Sequence, residues 1–297
     1  MKLCLSIEIQ EGLSYEATLA LARAAELAGF DAALLAEHYA ASSRAIDRPA
    51  ADAWVYLAAL ARETERIRLG TLVSPVTFRH PSVLAKLAAT LDHVSDGRAE
   101  LGIGAGWLEA EHDAYGFPFP RPGRRVDLLE EQLQVITGLW TRDPFSHDGP
   151  TYHLRECRFT PKPLQQPHPP LIVGGRPSSK RLPALAARYA DEYVISLPTA
   201  RQCEQVKQLL AGACTLSVFT YACVAEKDHE VERQLAALAQ ELRPEMYDRD
   251  RWIAGTPSEA AEQLHRLAAT GVHRVFIAAW RESHLKMLPL LSRYLTA

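Results

Sequence analysis

The chain has 297 residues, 47% of them hydrophobic, which is enough for a sizeable core in one large α/β domain or two smaller ones. Its 33 basic and 36 acidic residues leave a net charge of -3 and are spread without a basic block, which argues against nucleic acid and anionic membranes as partners. No apolar run approaches a membrane span, and the N-terminus turns polar at Glu8 before a signal segment could form, so a cytoplasmic protein is expected.

Short apolar runs alternate with amphipathic helical patterns from end to end, the mark of strand–helix–strand units around a parallel sheet. The first strand is expected at Lys2–Ile7, followed by an alanine-rich helix over 14–28 and a turn at Gly29-Phe30. The second, 31–35, stops at Ala36-Glu37-His38, and a polar loop through Arg44 and Arg48-Pro49 leads to a helix over 52–63. A third strand, 67–72, runs into Val73-Ser74-Pro75, and the helix after it sets Val83, Leu84, Leu87, Leu91 and Val94 on one face with Pro81 in its first turn.

The fourth strand lies within 98–107, where Leu101 and Ile103 alternate as core residues. Helices are expected at 108–115 and 124–140, the second carrying Val126, Leu129, Leu133, Ile136 and Trp140 on one face. From 143 to 170 the periodicity fails. This stretch is rich in Pro and His, contains the turn signal Asp148-Gly149-Pro150 and exceeds an ordinary connection, so it reads either as a surface excursion or as a lid. Strand five, 171–173, ends in Gly174-Gly175-Arg176 before a helix expected from Ser178 to Ala190, a natural phosphate seat. Strands six to eight fall at Glu192–Ser196, 215–224 and 275–279, with helices near 200–211, 228–242, 257–270 and 284–295. With no linker, repeat or low-complexity boundary, these units specify one α/β domain over 1–297, a (β/α)8 TIM barrel with its site at the C-terminal strand ends; a doubly wound open sheet is the alternative.

In a barrel, four strand ends converge on one mouth: Glu37-His38-Tyr39, Leu72-Val73-Ser74, Gly104-Ala105-Gly106-Trp107 and Gly174-Gly175-Arg176. Gly102, Gly104 and Gly106 remove side chains that would keep a ligand from the backbone, although barrel strands also use glycine to pack and turn. Their spacing is Gly-x-Gly-x-Gly and not the dinucleotide fingerprint. The five cysteines contain no Cys-x-x-Cys pair and the 11 histidines no His-Glu-x-x-His pair, so no metal site is expected. The mouth also lacks paired carboxylates and nucleophile–base pairs, which leaves the hard chemistry to an organic cofactor. His38, directly after a strand, is the candidate proton exchanger; a merely capping histidine is the other reading.

The run from Leu69-Gly-Thr-Leu-Val-Ser-Pro-Val-Thr-Phe-Arg-His-Pro81 through Leu91-Asp-His-Val-Ser-Asp-Gly-Arg-Ala-Glu-Leu-Gly-Ile-Gly-Ala-Gly-Trp107 resembles the luciferase-like monooxygenase superfamily, and within it the deazaflavin (coenzyme F420)-dependent oxidoreductases. Glu111-His-Asp-Ala-Tyr-Gly-Phe-Pro-Phe-Pro120, Pro161-Lys-Pro163, Pro169-Pro-Leu-Ile-Val-Gly-Gly175 and Ala187-Arg-Tyr-Ala-Asp191 extend the resemblance over nearly the whole chain. Flavin and deazaflavin members share most of these motifs.

The resemblance implies a bacterial-luciferase-like barrel with an insertion loop over its C-terminal mouth, a non-prolyl cis peptide close to Leu72–Val73, and His38 as proton donor or acceptor. The cofactor-binding residues so implied are Leu72, Val73, Ser74, Gly104, Ala105, Gly106 and Trp107 around the ring, and Gly174, Gly175, Arg176 and Ser178 at the phosphate. Arg176 and Pro177 replace an extra glycine shown by many relatives. Trp107 stands where the sugar-phosphate dehydrogenases of the group carry a catalytic Glu, so that activity is not carried over. The implied reaction is hydride transfer between F420 and a small organic substrate. The alternatives are an FMN-dependent monooxygenase fed by a separate reductase, and a non-catalytic flavin-binding protein. Relatives are often homodimers.

Overall fold

The computed structural model describes residues 1–43, 47–242 and 248–296. Twelve strands are found among them: β1 (Lys2–Ile7), β2 (Ala32–Leu35), β3 (Arg68–Pro75), β4 (Ala99–Gly104), β5 (Phe145–Asp148), β6 (His153–Cys157), β7 (Leu171–Gly175), β8 (Glu192–Ser196), β9 (Thr215–Thr220), β10 (Ala222–Val224), β11 (Ile253–Gly255) and β12 (Arg274–Ala279). Eight of these close a parallel barrel in the spatial order β1-β2-β3-β4-β7-β8-β9-β12 and back to β1. The open-sheet alternative is thereby excluded.

Helices α1 (Tyr15–Leu27), α2 (Ala53–Glu63), α3 (Pro81–Val94), α4 (Glu109–Tyr115), α5 (Pro122–Thr141), α6 (Leu182–Tyr189), α7 (Ala200–Leu210), α8 (Asp228–Glu241), α9 (Pro257–Ala269) and α10 (Leu288–Ser292) follow the strands. Their starts are written locally. Ser14 accepts from the Ala17 amide, Asp52 from Trp54 and Val55, and Thr199 with Gln202 and Thr256 with Glu259 form capping boxes.

Alternation divides each barrel strand between two cores. Leu3, Leu5, Ile7, Leu69 and Leu101 face the helices, whereas Cys4, Leu34, Ile172, Val194 and Phe276 fill the barrel interior. The N-terminal end of the barrel is closed by charge. Arg274 donates to Glu100 at 2.8 and 3.0 Å and to Asp31 at 3.2 Å, and it also binds Glu192, while Arg68 pairs with Glu100 from the side.

Four expectations are corrected. Residues 215–224 are not one strand: β9 ends at Thr220, whose hydroxyl donates to the Arg251 carbonyl at 2.8 Å, and β10 turns out of the barrel to pair with β11. The helix expected from Ser178 starts at Leu182, because Pro183 has no N–H to give and fits only a first turn. The closing helix over 284–295 is broken into a 3-10 turn at Glu282–Lys286, α10, and a second 3-10 turn, with Pro289 restarting the chain at α10. Finally, the insertion at 143–170, where the periodicity fails, contains the β5–β6 hairpin and packs against α3 and α5. Glu131 of α5 accepts from the Thr151 and Tyr152 amides, Lys86 of α3 donates to Thr160, and Gln165 reaches Asp92 and Ala99 at the lower end. Arg44, part of the expected polar loop, lies outside the described residues.

Candidate active site

At the end of β2 two neighbouring acid–base side chains go to opposite sides, as extended backbone requires. Glu37 turns inward behind the mouth and is 1% exposed. It accepts from Trp54 Nε1 at 3.2 Å, from the Ser74 hydroxyl and from Arg79. His38 faces the mouth, with Nδ1 2.9 Å from Glu111 Oε1 and its ring edge-on to Trp107 at 5.7 Å. The second Glu111 oxygen accepts from the Tyr39 amide at 3.1 Å, so one carboxylate fixes both the ring and the backbone beside it. His38 Nε2 makes no hydrogen bond to a described residue.

Sequence order therefore suggests Glu37 as the partner of His38, and the fold supplies Glu111 instead, from α4. Glu111 is buried on a short helix and carries no periodic signal of its own; only its place in the family-like segment drew attention to it. Burial pulls the His38 pKa down, but the Glu111 hydrogen bond and charge, with the charges of Glu8 and Glu11, outweigh it and hold the imidazole above its ordinary range.

The β3 strand bulges where it meets the mouth. Thr71 pairs with Leu101 and Ser74 with Ile103, so β3 uses one residue more than β4, and the Leu72–Val73 peptide is cis, as the resemblance implies. The spaced glycines make room for this bulge. A Cβ on Gly104 would lie 2.7 Å from Val73 Cγ2, one on Gly174 would lie 2.8 Å from Val73 Cγ1, and one on Gly102 would run into the Thr71 carbonyl. This corrects the reading of Gly104 as a gap held open for a ligand, because Val73 occupies that space. Ser74 is likewise taken up by the protein: its hydroxyl donates to Glu37 and lies 3.0 Å from Thr71 Oγ1 behind the mouth. Leu72, Val73 and Ala105 remain half-buried at the rim, and Trp107 is 41% exposed. Gly106 has φ 78°, a left-handed turn that aims the chain at Trp107.

β7 ends in Gly174 and Gly175, the exposed Arg176 follows, and a turn closes with the Ser179 amide donating to the Arg176 carbonyl at 3.0 Å. Ser178 is exposed on that turn and is not at a helix N-terminus. A Cβ on Gly175 would collide with the Tyr193 hydroxyl, which is buried beside the Ser179 side chain. Arg176 and Lys180 make no ion pair with a described residue, whereas Arg181 is committed to Asp127 at 2.7 Å. Two cations that make no ion pair with a described residue fit the phosphate of a flavin-type cofactor.

The opposite rim is aromatic and charge-paired. Phe219 meets Tyr221 edge-on at 5.7 Å, and Tyr221 meets Trp280 at 5.5 Å and Trp252 at 5.3 Å. Glu8 accepts from Ser6 at 2.7 Å and Gln10 at 2.9 Å, and burial holds its carboxyl above the usual range despite those bonds. Sequence reasoning gave no sign of this wall, since β10 and β11 are three residues each and too short to show a period.

Comparison with known proteins bears on this geometry. A family model described as luciferase-like monooxygenase matches residues 3–243. The chain is 40% identical over 143 residues to an uncharacterized protein of Mycobacterium tuberculosis, a match covering 48% of this chain and 49% of the other, so it spans about half the length of that curated relative. It is 28% identical over 304 residues to the F420-dependent glucose-6-phosphate dehydrogenase of Intrasporangium calvum, covering 90% of each. It is also 29% identical over 232 residues to the FMNH(2)-dependent dimethylsulfone monooxygenase of Pseudomonas putida, covering 76% of this chain and 62% of that one. Among solved structures, a monooxygenase from Streptomyces bottropensis superposes with a TM-score of 0.83 at 22% identity over 100% of this chain and 99% of its own. An F420-dependent secondary alcohol dehydrogenase gives 0.82 at 18% identity over 99% and 97%. These likenesses establish the fold. No described helix is long and apolar enough to cross a membrane.

Proposed function

The chain belongs to the luciferase-like monooxygenase family, and from that premise we propose that it is an oxidoreductase moving a hydride between coenzyme F420 and a small organic substrate. The observation that carries this reading is the His38–Glu111 pair, set edge-on to an exposed tryptophan at the mouth. When bound, a deazaflavin supplies two-electron hydride chemistry, because carbon replaces the flavin N5. The protein's part is to hold it and to manage a proton. Leu72, Val73, Ala105 and Trp107 offer a half-buried apolar bed, and Arg176 and Lys180 suit the phosphate. His38, whose hold on a proton Glu111 strengthens, gives its Nε2 proton to a substrate oxygen that gains negative charge, or takes one in the reverse direction. Trp107 leaves no second acid at the end of β4, so His38 acts alone as the proton exchanger.

An FMN-dependent monooxygenase, receiving reduced flavin from a separate reductase, is the second reading, supported by the likeness to the dimethylsulfone enzyme. Titration of the purified protein with F420 and with FMN, each oxidised and reduced, separates the two. Deazaflavin is expected to bind at least as tightly as FMN and to quench tryptophan fluorescence. Tight FMN binding without detectable F420 binding would overturn the preference.

A further inference from the structure

We propose that the substrate is an uncharged, largely apolar molecule and that phosphorylated and other anionic substrates are rejected; this rests on the oxidoreductase reading above. The floor of the mouth carries the first observation. Leu72 and Phe219, at the ends of β3 and β9, cap the interior cluster of Cys4, Leu34, Ile172 and Phe276, and both are only partly buried, so the surface a substrate meets below is hydrocarbon. On one side stand Val73 and Trp107, on the other Leu197 and Tyr221, again without a formal charge. The Tyr221 hydroxyl makes no hydrogen bond to a described residue and offers a neutral polar handle.

The charged groups of the rim carry the second observation, because each of three cations among the described residues there, Arg48, Arg281 and Arg251, is already matched. Arg48 pairs with Glu11 at 3.0 Å and lies 3.8 Å from Glu241. Arg281 pairs with the same Glu241. Arg251 is held by Asp248 at 2.7 Å and donates to the Leu197 carbonyl at 3.1 Å. Glu11 also accepts from the Ser42 amide and hydroxyl at 2.9 Å, and Glu8 is bound by Ser6 and Gln10. His38 is matched by Glu111. Among the described residues of this rim, four carboxylates, Glu8, Glu11, Glu241 and Asp248, thus stand against three guanidiniums. A phosphate entering this rim would have to strip a cation from its partner and leave that carboxylate uncompensated, which is the costly direction for a half-buried pair. Arg176 and Lys180, which make no ion pair with a described residue, follow β7, where the cofactor phosphate is proposed to sit.

The test uses two ligands of one shape. Binding of acetophenone and of 4-acetylbenzoate, with glucose 6-phosphate as a third probe, is measured by saturation-transfer NMR and tryptophan fluorescence, with and without F420. Acetophenone should bind at least tenfold more tightly than 4-acetylbenzoate, and glucose 6-phosphate should not compete. Glu241→Gln, which releases Arg281 and leaves Arg48 to Glu11 alone, should narrow the gap between the two ketones, and Phe219→Lys should reverse it. Equal or tighter binding of either anion by the unaltered protein, an unchanged gap in both variants, or no binding of acetophenone would each overturn the inference. Should neither F420 nor FMN bind while the ketone preference persists, the cofactor reading fails and the substrate class stands; cofactor binding with preference for an anion gives the converse.

Discussion

Replacing Glu111 by glutamine isolates the charge behind His38. The amide keeps the size of the side chain but has one acceptor where the carboxylate has two: with its oxygen receiving the Tyr39 amide, its NH2 faces His38 Nδ1 and can donate only to the neutral ring. What is lost is charge assistance. A hydrogen bond to a charged group contributes about 1.5–3 kcal/mol, against about 0.5–1.5 kcal/mol for a neutral one, so the change removes on the order of 1.4 kcal/mol. That corresponds to about one pKa unit, and the burial that pulls the imidazole down remains. His38 should therefore titrate about one unit lower in the variant, measured directly by NMR of the ring nitrogens.

Two consequences have definite signs. If His38 works as the protonated acid, kcat/KM falls as pH rises through its pKa, and that alkaline limb should move about one unit toward acid in Glu111→Gln. The folded pKa lies above the unfolded value of about 6.5, so the pair stabilises the protein fully below that pH and loses its contribution as pH rises through the folded pKa. The variant should show a flatter decline over that window, with cofactor affinity within a few fold. An unchanged or raised His38 midpoint would refute the assignment of Glu111 as the group that holds the proton.

His38→Ala should keep cofactor affinity within a few fold while losing about 100-fold in single-turnover rate, the usual scale for deleting a general acid; preserved activity with a lowered melting temperature would make the residue structural. Gly174→Ala should lower the melting temperature by pushing on Val73, whose Cγ1 would be 2.8 Å from the new methyl, and adding Val73→Ala should recover much of the loss; additive effects in the double variant would show that the two do not touch. Arg274→Met should cost about 3–5 kcal/mol in denaturant unfolding, since it leaves Glu100 and Glu192 buried without their shared cation. In the unaltered protein burial raises the Glu100 pKa but Arg274 and Arg68 lower it further, so stability is lost as pH falls; in the variant the sign reverses and acid should partly restore stability.

Most of the barrel was legible because its rules are local. Ser14, Asp52, Thr199 and Thr256 announce helix starts through their own side chains, and the one-faced pattern of α5 needs no neighbour to be read. The failures are places where a distant residue decides. The turn of β10 out of the barrel depends on Arg251 and Ile253, which meet Thr220 and Tyr221 across some thirty positions. The glycines of β4 were visible as a pattern, but their cause was not: the bulge that fills the space belongs to β3, and nothing in 99–104 encodes it. Pro183 is the instructive exception. Its missing N–H was in plain view and should have moved the expected start of α6 from Ser178 to Leu182.

The two ends of the barrel treat polar groups in opposite ways, and the difference separates stability from chemistry. At the N-terminal end Arg274 is bound on all sides by Glu100, Glu192 and Asp31, with each carboxylate held in turn by Arg274, Arg68 or Lys2. At the C-terminal end His38 is satisfied at Nδ1, and its Nε2 makes no hydrogen bond to a described residue. Unpaired groups of that kind cost folding free energy, and a closed barrel with a complete core can carry them where an isolated loop could not. The His38–Glu111 pair follows the same division. Its acid comes from α4, outside the closed ring of strands, so changes in α4 can retune the proton without disturbing the hydrogen bonds that close the barrel.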